Sequence, residues 1–182
     1  MGTVTDVRGD RIVRIGYSSV SPRRRLASWV DLVSLAAGEP SRPWTGVTVG
    51  RQGRGTRASR VGPLGATATS LLRDLVAVYD AGMREPLPLP VKTSAAWAEA
   101  VHRSRHPLYS ARQAWEGKEY ADPFAENRDR AFGTVFGETC SFARVSGNPH
   151  DDEDPTRQGS RLGAYAVRVW GPLLLSERLG GL

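Results

Sequence analysis

The chain opens on short alternating runs and then shifts to helical periods. Thr3-Val4-Thr5 and Ile12-Val13-Arg14-Ile15-Gly16-Tyr17 alternate β-branched and polar positions around Arg8-Gly9-Asp10. A Gly beside an Asp between two such runs has the chemistry of a hairpin turn. Gly2–Ser19 is therefore predicted to start the chain inside a sheet, with no leader before it. Ser21-Pro22 offers a helix entry, Ser as cap and Pro preorganised for the first turn. Leu26, Trp29, Val30, Val33 and Ala37 keep helical spacing until Gly38 and Pro40 stop the run. Trp44 to Val49 alternates again as a strand, leaving through the basic, Gly-rich stretch Gly50 to Arg57. That stretch reads as a long hairpin turn, or as a loop able to follow a phosphate backbone. It has neither the Gly-Lys-Ser/Thr of a P-loop nor the spacing of a dinucleotide fingerprint.

Gly65 to Met83 is predicted as a helix with Leu71, Leu72, Leu75, Val76, Val78 and Tyr79 on its apolar face. Pro86-Leu87-Pro88-Leu89-Pro90 forbids its continuation and favours an extended segment that packs its Leu side chains. Thr93 or Ser94 is expected to cap a helix through Trp97, Ala100 and Val101. Pro107 to Trp115 reads as a short helix, and Glu116 to Asn127 as a polar loop. Arg130 to Phe142 reads as helix or connector, weakened by Gly133 and Gly137. Asn148 to Pro155 forms an acidic loop, and Arg161 to Leu179 a last helix kinked at Pro172. No internal repeat is visible.

Length and composition narrow the class. At 182 residues the chain suits one domain with a real core. Its basic, sheet-forming part is expected in 1–60 and its helical part in 61–182. No apolar run approaches the roughly 20 residues of a membrane span. Arg8, Arg11 and Arg14 break any signal-peptide core, and Asp6 stands where a myristoylation signal needs Ser or Thr. The single Cys140 excludes an internal disulfide, and a reducing cytoplasm is the expected location.

Charge changes the picture more than composition does. The net charge is +6, but residues 1–60 carry 11 Arg against 4 acids, a net of +7, and the remainder is −1. Such asymmetry suggests a polyanionic partner. Arg over Lys, at 23 to 2, fits a codon bias, which does not explain where the charge lies. Arg23, Arg24 and Arg25 fall in the first turn of the expected helix, the wrong end for its dipole unless an anion is near. Together with Arg51, Arg54 and Arg57 they are the candidate DNA-binding residues.

Other chemistries are weaker. His102 and His106 have i, i+4 spacing without the Glu of a zinc helix, and neither His150 nor Cys140 completes a set. Asp151, Asp152, Glu153 and Asp154 lack the Gly and terminal Glu of a calcium loop. Glu116-Gly117-Lys118 has the E-x-K spelling of a metal-dependent nuclease, but in a polar stretch without a supporting strand. No Ser-His-Asp or Cys-His pattern has local support.

Taken in order, several segments resemble the C-terminal domain of RecC, the gamma subunit of the exodeoxyribonuclease V (RecBCD) helicase–nuclease. They are Gly2-Thr3-Val4, Arg11-Ile12-Val13-Arg14-Ile15 with Tyr17-Ser18-Ser19, Arg25-Leu26 with Trp29-Val30, and Leu75-Val76 with Tyr79 and Gly82-Met83. The Pro-Leu-Pro-Leu-Pro run, Lys92-Thr93-Ser94, Trp115-Glu116 and Tyr165-Ala166 with Trp170 and Pro172-Leu173-Leu174 follow.

The resemblance implies an α/β fold of the PD-(D/E)XK nuclease type, a mixed sheet flanked by helices, in a catalytically degenerate form. In active relatives the hairpin carries an Asp, then Asp-Tyr-Lys at the strand end. Those positions fall here on Thr5 and on Gly16-Tyr17-Ser18, so both metal ligands and the Lys are replaced. Asp6 lies one residue off, and a one-residue slip in a strand turns a side chain to the opposite face. The resemblance further implies a non-catalytic, N-terminally truncated piece of a far longer subunit. Its expected partners are the RecB and RecD subunits and double-stranded DNA. It has no cofactor of its own, since ATP and Mg²⁺ serve the partner subunits, and Chi recognition lies elsewhere in the subunit. Two alternatives stand beside it. One is an active metal-dependent nuclease using Asp6, Asp10 or Glu116 with Lys118. The other is a standalone nucleic-acid-binding module using the Arg51–Arg57 loop.

Overall fold

A computed structural model describes residues 2–117, 125–137, 140–148, 150 and 159–181. The chain forms two compact units: Met1–Ala77 with Pro172–Leu182, and Val78–Gly171. Lys118, Asp122-Pro123 and Asp151–Pro155 lie outside the described residues.

The first unit holds a five-stranded open sheet in the order β1-β2-β3-β4-β5. The strands are β1 (Val7–Arg8), β2 (Arg11–Ile15), β3 (Thr45–Gln52), β4 (Gly55–Val61) and β5 (Glu177–Gly180). Only β2 and β3 run parallel; the other pairs are antiparallel. The parallel pair requires a crossover, and α1 (Pro22–Gly38) supplies it. The hairpin falls later than the alternation predicts. Val7 pairs with Ile12 and Arg8 with Arg11, so Gly9-Asp10 makes the turn, with Gly9 at φ +59°. Thr3-Val4-Thr5 is not a strand.

Helix α1 has the predicted ends but a rotated face. It buries Arg25, Ser28, Trp29, Leu32, Val33 and Ala36 and leaves Val30 exposed. Ser21 occupies the cap position without a side-chain hydrogen bond to the helix. The rotation follows from what lies beneath: a Cβ on Gly46 of β3 would stand 3.5 Å from Ser28 Oγ and 3.8 Å from Leu32 Cδ2. Large side chains therefore sit to either side, and a small polar one sits over the glycine.

The Arg/Gly-rich stretch is strand rather than loop. β3 runs through Gln52, Gly53-Arg54 turns, and β4 returns with Gln52 opposite Gly55 and Gly46 opposite Val61. Gly53, at φ +57°, supplies a backbone conformation that few other residues adopt. β5 is a second strand that the helical period conceals. The periodicity predicts helix to Leu179, but α7 (Arg161–Ser176) stops and Glu177–Gly180 pairs with β4. Pro172 sits within α7.

A single turn at Gly65–Thr67 leads into α2 (Ala68–Arg84), close to the predicted helix. The second unit is helical: α3 (Val91–His102), α4 (Pro107–Glu116), α5 (Arg130–Phe136) and α6 (Phe142–Ser146). Trp97, Trp115 and Trp170 are buried here. Trp115 Nε1 donates to Cys140 O at 3.1 Å and Trp170 Nε1 to Ser94 Oγ at 3.0 Å. Thr93 and Ser94 are inside α3, not at its cap. Pro90 takes that position, and the orphan amides of Lys92 and Thr93 donate to the Glu126 carboxylate at 2.8 and 2.7 Å. A carboxylate there satisfies two donors and complements the helix dipole. In the Pro-Leu-Pro-Leu-Pro run the more deeply buried side chains are Pro88 and Pro90; Leu87 and Leu89 are half-buried.

Candidate nucleic-acid interface

The basic first third resolves into paired and unpaired arginines. Arg14 takes Asp31 and, at 3.7 Å from its Nε, Asp6. Arg42 takes Asp10, its Nε donating at 2.7 Å, and Glu39 at 3.3 Å. Those four are all the acids of residues 1–60. Arg8, Arg11, Arg23, Arg24, Arg51, Arg54, Arg57 and Arg60 form no ion pair among the described residues. Among the described residues these arginines therefore leave a positive surplus on this unit, a charge able to attract a polyanion.

Arg25 departs from the expectation. Its guanidinium is 4% exposed and grips the Glu177 carboxylate, which is 2% exposed, through Nε at 2.8 Å and through Nη2. Ser59 Oγ donates to the same carboxylate at 2.5 Å. Arg25 thus ties α1 to β4 and β5 and does not face solvent. Arg23 is exposed and Arg24 half-buried.

Two clefts lie along the outgoing end of β2. The first, about 320 Å³, is lined by Asp6, Val13, Arg14, Ile15, Gly16, Arg24, Ala27 and Thr48. The second, about 500 Å³, is lined by Tyr17–Val20, Arg51–Gly53 and Arg57. At the second, Tyr17 is 84% exposed, and Arg51 lies over its ring at 5.2 Å with Nη1 donating to Tyr17 Oη at 3.3 Å. A guanidinium on an exposed aromatic is a surface on which bases stack and phosphates pair. Arg54 is exposed at the tip of the β3–β4 hairpin. Between the clefts the chain crosses over Gly50, where a Cβ would overlap Ser18 O.

Thr5, Gly16 and Ser18, the positions that the resemblance makes degenerate, fall at separate points of the sheet unit. Thr5 is exposed ahead of β1, its Oγ1 donating to Asp6 Oδ2 at 3.2 Å. Gly16 extends the β2–β3 ladder through its N–H to Val49 O at 3.0 Å and lines the first cleft, whereas Ser18 lines the second. Asp6 reaches the first cleft, contrary to the face argument. Its φ of +65° breaks the extended backbone on which strand alternation depends. Asp10 is at the far end of β2 from Gly16, roughly 17–20 Å away along a strand of this length. Glu116 pairs with Arg112 in the second unit, Nε to Oε2 at 2.9 Å. Among the described residues no three His, Cys, Asp or Glu side chains cluster as metal ligands. No helix among them is long and apolar enough to cross a membrane.

An open mixed sheet flanked by helices, with exposed arginines at the end of its parallel strands, defines a mixed α/β module with a basic surface. The chain belongs to the RecC C-terminal domain family, whose profile matches residues 1–102. It is 41% identical over 179 residues to the RecBCD enzyme subunit RecC of Mycobacterium tuberculosis. It is 44% identical over 179 residues to that of Mycolicibacterium smegmatis. Each alignment covers 97% of this chain and 16% of the relative.

Proposed function

We propose that this chain is the non-catalytic C-terminal domain of a RecC subunit in a RecBCD helicase–nuclease. In this reading it supports the RecB and RecD partners and guides duplex DNA during double-strand-break repair. Its sheet is read as a PD-(D/E)XK nuclease fold whose ligand positions are occupied by Thr5, Gly16 and Ser18. The observation that carries the reading is the division of the arginines: the acids of the first 60 residues are consumed by Arg14 and Arg42. Among the described residues Arg23, Arg24, Arg51, Arg54 and Arg57 remain free of ion pairs, and Arg51 and Arg57 line the cleft where Tyr17 is exposed. A guide needs charge and shape without hydrolysis, and phosphate contacts supply both sequence-independently.

The test is binding of linear duplex DNA as a function of salt. With five phosphate contacts the slope of log K against log[salt] is about −4.5, and the triple variant R51A/R54A/R57A flattens it by about 2.7. Absence of DNA binding at low salt, together with no association with RecB, would sink the proposal. The presence of Asp6 in the first cleft favours a second reading, residual metal-dependent cleavage. Activity with Mg²⁺ or Mn²⁺ that disappears in Asp6→Ala would establish it.

A further inference from the structure

The first cleft has features that a generally basic surface does not require. A Cβ on Gly16 would overlap Arg24 Nη1 and stand 3.0 Å from its Cζ. The missing side chain thus lets a guanidinium from the first turn of α1 rest against the β2 backbone. Arg24 has no hydrogen-bond or ion-pair partner among the described residues. Beside it, Thr48 is 3% exposed, and its Oγ1 is buried with no hydrogen-bond partner. A buried hydroxyl left unpaired costs about 1–3 kcal/mol and calls for an explanation. Thr48 pairs with Arg14 across the parallel ladder, so it is on the same sheet face as the cleft's cations. No side chain caps the first turn of α1, and no acid is present there to neutralise its arginines.

In the lining Arg14 is held by Asp6 and by Asp31, which leaves Arg24 as the lining cation that no acid engages among the described residues. Asp6 is already engaged by Arg14 and by Thr5 Oγ1. The complement of an unpaired guanidinium beside an unpaired hydroxyl is an anionic group with acceptor oxygens. We propose that the cleft seats one phosphodiester of a nucleic-acid backbone: the Arg24 guanidinium donates to a non-bridging oxygen and Thr48 Oγ1 completes the contact. This rests on the reading of the unit as a DNA guide and names a contact point for it. Gly16 is a positioning residue, holding the guanidinium in place before binding so that less freedom is lost on association.

The experiment uses the full 182-residue chain and two probes: a linear duplex of about 20 base pairs titrated between roughly 50 and 200 mM salt, and inorganic phosphate followed by NMR. Arg24→Gln is expected to weaken duplex binding about tenfold at low salt and to flatten the salt slope by about one. Gly16→Ala keeps every charge, and the atom it displaces is the mobile end of a side chain. It is expected to keep the fold, read from amide protection of the sheet, while weakening duplex binding about fivefold. Thr48→Val is expected to leave stability unchanged or raise it, since it removes an unpaired hydroxyl, and to abolish the phosphate-induced shift at residue 48.

If Arg24→Gln weakens binding but Gly16→Ala does not, Arg24 contributes only to the general field and the seat is overturned. If the wild type binds duplex and no cleft variant alters it, the seat is overturned and the DNA-guide reading stands. If inorganic phosphate shifts the cleft resonances but duplex does not bind, the cleft takes a free anion only, and both the phosphodiester seat and the DNA-guide reading fall. If neither probe binds, both fall.

Discussion

The Arg25–Glu177 pair supplies the sharpest mechanical prediction. Both side chains are almost fully buried, and the carboxylate also accepts from Ser59, so one cluster joins α1, β4 and β5. Arg25→Ala removes two charge-assisted hydrogen bonds, each about 1.5–3 kcal/mol, and leaves a buried carboxylate holding only Ser59. That agrees with the roughly 3–5 kcal/mol lost when one member of a buried pair is removed. A typical domain has about 5–15 kcal/mol in total, so the single variant comes close to unfolding its unit. Replacing both members with apolar residues, R25M/E177L, removes the stranded charge and is expected to recover most of the loss, because buried pairs are commonly no better than packed apolar substitutes. The assay is urea unfolding read through amide exchange of the β4–β5 ladder, with single and double variants closing a cycle. A coupling of several kcal/mol is expected. An Arg25→Ala cost below about 1 kcal/mol, accompanied by weaker DNA binding, would refute the reasoning and return Arg25 to the surface.

Other outcomes follow from particular contacts. Gly50→Ala is expected to destabilise the sheet unit by roughly 1–3 kcal/mol, since its Cβ meets the rigid Ser18 carbonyl, whereas Gly16→Ala, which meets a flexible guanidinium, is nearly neutral; thermal unfolding compares them. Glu126→Ala is expected to cost about 1–2 kcal/mol by exposing the amides of Lys92 and Thr93, read as lost protection in the first turn of α3. Burial raises the Cys140 thiol pKa, opposed by the nearby Arg144. The folded state therefore binds that proton more tightly. Its contribution to stability is intact below the ordinary thiol range and is lost as pH rises through the elevated folded value. Alkylation at mildly alkaline pH should accordingly be slower in the folded chain than in urea.

Much of the scaffold is legible from residue order. Ser21-Pro22, Gly38 and Pro40 bracket α1 almost to the residue, and the Leu-rich face marks α2. What escapes has physical causes. The face of α1 is rotated because Arg25 and Ser28 are buried by partners distant in sequence, Glu177 and Gly46, and no local period reveals them. The start of β4 reads as a loop because five of its seven residues are Gly, Thr, Ser or Arg, and its strand character comes from pairing on both sides. β5 is Glu-Arg-Leu-Gly, too short and with too few apolar residues to show alternation, and its strand character comes from pairing with β4. At the site, the exposed arginines of the hairpin are visible as charge. The cleft is not, since it depends on the positive φ of Asp6 and on Thr48 lying across the ladder from Arg14.

The exposed arginines are expected to hold duplex DNA without cutting it. The direct measurement is one titration of end-labelled linear duplex with the chain at low salt in Mg²⁺, with retardation and strand length read on the same gel. A retarded, full-length duplex whose binding weakens steeply as salt rises is expected. Shortened strands that vanish in Asp6→Ala, or a duplex that migrates freely at every concentration, would contradict it.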